Sequence, residues 1–292
     1  MDEEYVFKFL NQNLLGCDLV FSFFTSAVNS LRSDSSVRPF PPMYFKEDGI
    51  EKDFNSLRSI CNSMPPLRDL PFLPNMEKHI QLLTWLYTKC DPISYTFFTQ
   101  KFNENEFPLN ISGFNPKCIF KINHSSSSEQ SWNARKGTFN TSLAFHGSQL
   151  DRFYSISRVG LQQIFSTKTN PLFGEGIYLS KHLSTSIIYA PYGAGWINSI
   201  IGENLSVVAV CEYIDDISKQ RKLKDSRGST IKGMIVVTDS DYIRVNYLLV
   251  FSKKIKSISG NGNIKLIIIL LFVFLAIILY SNKFLREFKM FK

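Results

Sequence analysis

The chain has 292 residues, of which 44% are hydrophobic and 26 are phenylalanine. This size and apolar content can supply a sizeable core, which excludes wholesale disorder. The formal net charge of +8 fits either a solvated surface or attraction to an anionic membrane face. No basic stripe is interleaved with aromatic residues, so no nucleic-acid partner is expected.

The cysteines are too scattered to form a recognisable metal or redox site. They are Cys17, Cys61, Cys90, Cys118 and Cys211. None has CxxC spacing, so neither a zinc site nor a dithiol is expected, and the odd count fits reduced thiols in a cytosolic domain. The acidic start Met1-Asp2-Glu3-Glu4 lacks the basic and apolar regions of a secretory signal, so no cleaved signal is expected.

The first hundred residues have the apolar spacing of helices. The predicted helical stretches are Asp2–Asn29, Phe54–Met64 and His79–Cys90. The first stretch is expected to divide at Gly16, and Ser33–Pro42 is predicted to be a polar loop that ends in proline. We therefore predict a helical accessory domain over residues 1–95, with its boundary near residues 91–100.

The chain then alternates short β-rich segments with turns. The predicted strands are Ser142–Phe145, Ser206–Tyr213, Met234–Thr238 and Tyr242–Phe251. A helix is predicted over Leu150–Val159, followed by Gly160 where a left-handed C-cap is wanted, and a short helix is predicted to start near Ser184. Asn123–Lys136 is predicted to be a serine-rich loop. The pattern indicates an α+β domain around an antiparallel sheet.

Three short segments between residues 146 and 189 carry candidate chemistry. His146 ends a predicted strand, and Gly147 after it would let a ligand approach the main chain, whose N–H and C=O can pair with a carboxamide. Gly174–Tyr178 runs from a tight turn into a strand, and Ser186 and Tyr189 lie three apart on one helix face. Taken singly, each segment is better explained by a structural histidine, an ordinary turn before a core tyrosine, or a capping serine with a packing tyrosine.

Taken together, these segments resemble the catalytic domain of the poly(ADP-ribose) polymerase superfamily. That family has a His-Gly-Ser/Thr strand, a Phe-Gly-x-Gly-x-Tyr segment, and then a serine eight and a tyrosine eleven positions beyond that tyrosine. Tyr178, Ser186 and Tyr189 keep both spacings. The chain looks most similar to the small, tail-anchored mono-ADP-ribosyltransferases of the superfamily. Further matches are Leu172–Gly176, Val208–Glu212 and Tyr247–Val250.

The resemblance implies a catalytic domain over residues 96–256 that uses NAD as co-substrate and no metal. It implies that His146 binds ribose hydroxyls, and that the main chain of Gly147 and the hydroxyl of Ser186 bind the nicotinamide carboxamide. Ser148 belongs to the same NAD-binding segment. Tyr178 and Tyr189 would stack on the two faces of the ring. The acceptors would be proteins, including the chain itself.

One position departs from the family pattern. Chain-elongating members have a glutamate that opens a later strand and orients the accepting hydroxyl. Counting back from Val236-Val237-Thr238 gives Met234 at that position, and a shift of one residue would give Gly233 or Ile235. Methionine has no strong acceptor atom, so it argues against polymer formation. Transfer of one unit to an ionised carboxylate and an inactive domain both stay open.

The apolar run Leu266–Tyr280 is predicted to cross a membrane. As a helix it would span about 22 Å, which is short of a bilayer core of about 30 Å. Snorkelling of Lys265 and Lys283 would extend the usable span, and a thin membrane would reduce the mismatch. The alternative is a buried core helix. We expect a linker over residues 257–263, a transmembrane tail anchor over 264–281 and a lumenal tail over 282–292. The expected location is the endoplasmic reticulum and contiguous nuclear envelope, with the catalytic domain facing the cytosol.

Overall fold

The structure is a computed structural model that describes residues 2–89, 94–98, 107–163, 174–221, 223 and 231–253. The expected linker, tail anchor and lumenal tail, together with Leu172-Phe173, lie outside the described residues. Within the described ranges, no helix combines the length and apolar character needed to cross a membrane.

Helices fill the N-terminal region. They are α1 (Asp2–Gln12), α2 (Leu14–Asn29), α3 (Ser33–Ser36), α4 (Phe54–Ser63) and α5 (Glu77–Thr84). A π-helical segment, Trp85–Lys89, continues α5, and 3-10 turns occur at Pro42–Tyr44 and Leu70–Phe72. The predicted helical character of the region is confirmed, and part of the predicted loop Ser33–Pro42 is helical instead.

The predicted break at Gly16 is wrong. The break between α1 and α2 falls at Asn13, whose side chain accepts a hydrogen bond from the main-chain N–H of Gly16 at 3.3 Å. Asparagine is a strong N-cap because its side chain satisfies an amide that has no partner inside the helix. Gly16 therefore lies in the first turn of α2 and ends no helix.

Strands form most of the second half. They are β1 (Ser94–Phe98), β2 (Cys118–Asn123), β3 (Thr141–Gly147), β4 (Ile177–Ser180), β5 (Gly193–Ala194), β6 (Asn204–Ile214), β7 (Gln220–Arg221), β8 (Met234–Val237) and β9 (Ile243–Ser252). The described strands form one sheet in the order β1-β2-β9-β6-β3-β4-β8-β7, with β5 beside β6, and the pairs are antiparallel. The predicted antiparallel α+β architecture is confirmed.

The helices of this half are α6 (Ser126–Lys136), α7 (Phe153–Val159) and α8 (Leu183–Ser186). A 3-10 turn, Leu150–Arg152, precedes α7, and another, Ile187–Tyr189, extends α8. Gly160 ends α7 with the expected positive φ of 75° but an extended ψ of −177°, so its cap is not the left-handed form.

The serine-rich loop predicted over Asn123–Lys136 is wrong, because α6 occupies most of it. The Ser125 side chain caps this helix by accepting from the N–H of Ser128 at 3.2 Å. Trp132 is buried, and the guanidinium of Arg244 lies 4.5 Å from its ring centroid. One buried ring that packs against a cation gives no apolar period, which explains why the sequence pattern missed the helix.

The helical region and the sheet share one hydrophobic core. Phe21 of α2 packs edge-on against Trp196 at 4.9 Å, and Phe23 lies 5.5 Å from Phe153 of α7. A second cluster covers the opposite sheet face, where Phe145 packs with Leu183 of α8. The segment Ser186–Tyr189 therefore lies over the sheet face opposite the helical region.

Candidate active site

The candidate site lies where β3 and β4 separate. The two described strands pair at Phe145 and Ser180, and continuing that register would place Gly147 opposite Tyr178. Instead, Nδ1 of His146 lies 3.0 Å from the main-chain oxygen of Tyr178. The two motif residues, 32 positions apart, therefore meet at the end of this strand pair.

The contact with Tyr178 fixes the protonation pattern of His146. A carbonyl oxygen only accepts, so Nδ1 carries the proton and donates it. Burial lowers the pKa of His146, and this outweighs the hydrogen bond to Tyr178, which raises the pKa. The neutral ring therefore has Nε2 as an acceptor, and Nε2 makes no hydrogen bond within the described part of the chain.

Gly147 brings the end of β3 against α8 and the 3-10 turn that extends it, together called the α8 segment (residues 183–189). A Cβ added at Gly147 would lie 1.8 Å from the main-chain oxygen of Ser186 and 3.2 Å from Cβ of Tyr189. A glycine is therefore required here for close packing of one chain segment on another. Ser186 occupies the side of Gly147 where a Cβ would be, and the approach of a ligand to the Gly147 main chain stays a prediction.

Ser186 and Tyr189 differ sharply in exposure. The Ser186 hydroxyl is buried and donates to the main-chain oxygen of Phe145 at 3.0 Å, which ties α8 to β3. Its oxygen keeps acceptor capacity for a carboxamide N–H. Tyr189 is 62% exposed, so its ring is open to a stacking partner. Ser148, directly after Gly147, is buried.

Tyr178 is held by the glycine turn that precedes it. Its hydroxyl donates to the main-chain oxygen of Gly174 at 2.5 Å. Gly174 has φ +86° and Gly176 has φ +148°, both in the region that favours glycine. A Cβ on Gly176 would also lie 2.3 Å from Val236. The turn therefore sets where Tyr178 enters the strand, as the sequence predicted.

Met234 opens β8, and the register gives its place in the site. Met234 pairs with Ser180, and Val236 pairs with Tyr178. Directly paired residues of an antiparallel sheet project to the same face, as do residues two apart. Met234 and Tyr178 therefore share a face with Phe145, the face that α8 covers. Within the described strands, Met234 and not Gly233 or Ile235 is the residue that opens β8 on this face.

The described residues contain no group of three or more His, Cys, Asp or Glu side chains that is placed to hold a metal ion. Burial raises the pKa of the described thiols, which keeps them protonated and unreactive. These thiols are Cys17, Cys61, Cys118 and Cys211.

The sequence located the side chains of the site but not its main-chain partners. The oxygens of Phe145, Gly174 and Tyr178 hold Ser186, Tyr178 and His146 in turn. Every residue carries such an oxygen, so no residue-type signal marks these three. The structure brings the predicted side chains to one strand end, with Met234 on the neighbouring strand pair.

Comparison with known proteins gives two family matches. Residues 8–87 match the ARTD15 N-terminal domain, and residues 102–232 match the poly(ADP-ribose) polymerase catalytic domain. The first match covers the helical region. The second includes the strand end, the glycine turn and the α8 segment described above.

Individual relatives agree with these matches. The chain is 35% identical over 268 residues to protein mono-ADP-ribosyltransferase PARP16 of Mus musculus, covering 84% of this chain and 81% of that protein. It is 34% identical over 267 residues to PARP16 of Homo sapiens, covering 83% and 81%. It is 25% identical over 191 residues to protein mono-ADP-ribosyltransferase PARP8 of Mus musculus, covering 59% and 22%. The chain therefore belongs to the poly(ADP-ribose) polymerase superfamily of ADP-ribosyltransferases.

Proposed function

We propose that this chain transfers a single ADP-ribose unit from NAD to protein acceptors, including itself, and releases nicotinamide. The observation that carries the proposal is the hydrogen bond between His146 and Tyr178, because it joins the two motif residues at one strand end. The names of the PARP16 relatives support the same activity.

The nicotinamide end fits the segment from Gly147 to Tyr189. The buried Ser186 hydroxyl and the main chain of Gly147 would hold the carboxamide, which both donates and accepts hydrogen bonds. The exposed ring of Tyr189 and the ring of Tyr178 would contact the nicotinamide faces, each adding on the order of 1 kcal/mol. Ser148 follows Gly147 and would complete the NAD-binding segment.

The ribose end fits His146. Its neutral ring offers Nε2 as an acceptor for a ribose hydroxyl, while Nδ1 stays on the oxygen of Tyr178. NAD supplies the ADP-ribose unit and nicotinamide as the leaving group. Because the described site offers hydrogen-bond donors, acceptors and rings, we attribute most of the acceleration to positioning.

Met234 favours one transfer over elongation. The bond between ribose C1′ and the nicotinamide nitrogen breaks, and a bond from C1′ to an acceptor oxygen forms. An ionised Asp or Glu acceptor carries no proton to remove, so this step needs no base at Met234. A ribose hydroxyl would need one, and a thioether is a poor proton acceptor. We therefore propose carboxylates as the acceptors that suit this site best.

The same residue supports a second candidate function. A chain with methionine at this position is also compatible with an inactive module that holds NAD or a partner protein without catalysis. The two candidates differ in one observable, which is covalent attachment of ADP-ribose to the chain.

We further propose that the chain is anchored in the endoplasmic reticulum membrane by residues 264–281, with residues before 257 in the cytosol. The support is the uncharged run Leu266–Tyr280 and its flanking lysines. A fluorescent protein fused to the N-terminus tests this. Removing residues from 264 onward should release it to the cytosol, and unchanged membrane staining would reject the anchor.

Incubation of the full-length chain with NAD labelled in its adenylate moiety tests the activity. Wild type and Tyr178→Phe, which keeps the ring, should become labelled, whereas Tyr178→Ala should not. Tyr5→Ala removes an exposed tyrosine of α1 and should label like wild type. Thermal stabilisation of wild type by NAD without labelling would support the inactive module instead.

A further inference from the structure

Arg152 lies one short turn beyond the candidate NAD-binding strand end. It closes the 3-10 turn Leu150–Arg152, and its main-chain N–H donates to the oxygen of Gln149 at 3.1 Å. The pKa of His146 is lowered mainly by burial, and the positive charge of Arg152 lowers it further. The guanidinium of Arg152 is therefore close enough to His146 to act on it electrostatically.

Arg152 differs from the other half-buried arginines of the described chain, which are Arg58, Arg158 and Arg244. Each of those three has its guanidinium bound by protein atoms. Their partners are Val28 and Ser33 for Arg58, Leu86 for Arg158, and Glu212 and Glu129 for Arg244. The Arg152 side chain makes neither a hydrogen bond nor an ion pair within the described residues.

Asp151, the acidic residue next to Arg152 in the chain, is hydrogen-bonded to another part of the protein. Asp151 accepts a hydrogen bond from the hydroxyl of Ser30 at 2.5 Å, which directs its carboxylate to the C-terminal end of α2. A guanidinium that is half removed from water and lacks a counter-ion is costly, and anion binding would offset this cost. Among the described residues, the turn therefore presents a cation without a protein partner beside the site.

We propose that Arg152 binds the diphosphate of NAD. This inference rests on the proposed function, since it takes NAD as the ligand of the site. The ribose next to nicotinamide is joined to the diphosphate. Because the proposed function assigns the nicotinamide end to Gly147 and Ser186, we infer that the diphosphate lies toward the cation of Arg152. The planar fork of a guanidinium matches two phosphate oxygens at once.

Binding of the two halves of NAD by the full-length chain tests the inference. ADP-ribose carries the diphosphate and nicotinamide does not. Arg152→Gln should weaken ADP-ribose binding about tenfold or more and leave nicotinamide binding within twofold, because a lost charge-assisted contact affects only the half that carries the charge. Arg152→Lys should lie between, and Arg68→Gln, at an exposed position of the helical region, should match wild type.

Each outcome of these binding measurements either supports or overturns the contact between Arg152 and the diphosphate. Selective loss of ADP-ribose binding in Arg152→Gln supports the diphosphate contact. Unchanged ADP-ribose binding overturns the contact but leaves the proposed function standing, and equal weakening of both halves shows a structural role and overturns it too. If wild type binds neither half, the proposed function fails together with this inference.

Discussion

His146 donates from Nδ1 to the main-chain oxygen of Tyr178 across 3.0 Å, at the point where β3 and β4 part. The contact fixes which ring nitrogen is protonated. It also links the strand that carries His146 to the glycine turn that positions Tyr178. The geometry of the site therefore depends on the hydrogen bond between the His146 side chain and the main-chain oxygen of Tyr178, at the point where β3 and β4 no longer pair.

Substitutions of His146 separate its two nitrogens. His146→Asn keeps a donor near the Nδ1 position but removes the Nε2 acceptor, so it should lose most NAD binding and keep most of its stability. His146→Ala leaves the oxygen of Tyr178 unpaired and should lower the free energy of unfolding by about 1–3 kcal/mol more than His146→Asn does. Denaturant unfolding and NAD titration of both variants measure this. Equal stability of the two would contradict a structural role for Nδ1.

The lowered pKa of His146 predicts a pH dependence of stability. Because the folded state holds the pKa below its ordinary value of 6.5, the unfolded chain binds the proton more readily. The free energy of unfolding should therefore fall as the pH drops from about 6.5 toward the folded pKa. His79 and His124 also have lowered pKa values from burial, so the relevant quantity is the difference between wild type and His146→Asn. A difference that does not change between pH 7 and pH 5 would contradict the assignment.

Gly147→Ala tests the contact between the strand end and the α8 segment. The added Cβ would lie 1.8 Å from the main-chain oxygen of Ser186, so the backbone must move. We expect a loss of about 1–3 kcal/mol in the free energy of unfolding, together with weaker nicotinamide binding. Gly195→Ala is the matched control, because its Cβ would have ordinary contacts of 3.5 Å or more. Equal stability of the two variants in urea would argue against the packing described.

Substitution of Asp18 and Ser199 tests how the helical region is joined to the catalytic half. Buried Asp18 of α2 accepts from the Ser199 hydroxyl at 2.5 Å and from the N–H of Ile200 at 2.9 Å. The segment that they hold lies between Tyr189 and β6. A double-mutant cycle of Asp18→Ala and Ser199→Ala, followed by urea unfolding, should give a coupling of about 0.5–3 kcal/mol. Additive effects would show that the two side chains act independently.

Met234→Glu tests why the site should stop at one unit. A carboxylate at the start of β8 would lie on the face of Tyr178 and could orient a ribose hydroxyl as acceptor. The variant should attach chains of more than one unit in a labelling assay resolved by gel. Met234→Leu keeps the site apolar and should, like wild type, attach single units. Polymer formation by wild type would overturn the role given to Met234.

The sequence predicted the parts of the fold that have a clear pattern. The strands around His146 and Met234 were placed within a few residues, because alternating apolar residues mark strands. Asn13 and Ser125 show what was missed, since one capping side chain moved a helix boundary and the other began an unpredicted helix. A cap is a local hydrogen bond that leaves no trace in the apolar period.

In the candidate site, too, some features were predicted from the sequence and others were missed. The resemblance to the family, through its spacings, selected Tyr178, Ser186 and Tyr189, and the structure gives Ser186 and Tyr189 a common neighbour in Gly147. The packing of Gly147 against Ser186 was not predicted, because close approach of a second chain segment depends on tertiary packing. The sequence also could not predict that the Arg152 side chain has no ion-pair partner among the described residues, since this depends on the direction of the Asp151 carboxylate.

Mass spectrometry of the full-length chain after incubation with NAD, with free nicotinamide measured in the same sample, tests the central claim most directly. We predict single ADP-ribose units on acidic side chains, one nicotinamide molecule released for each unit attached, and neither product with Tyr178→Ala. An unmodified wild-type chain that binds NAD and releases no nicotinamide would contradict the account.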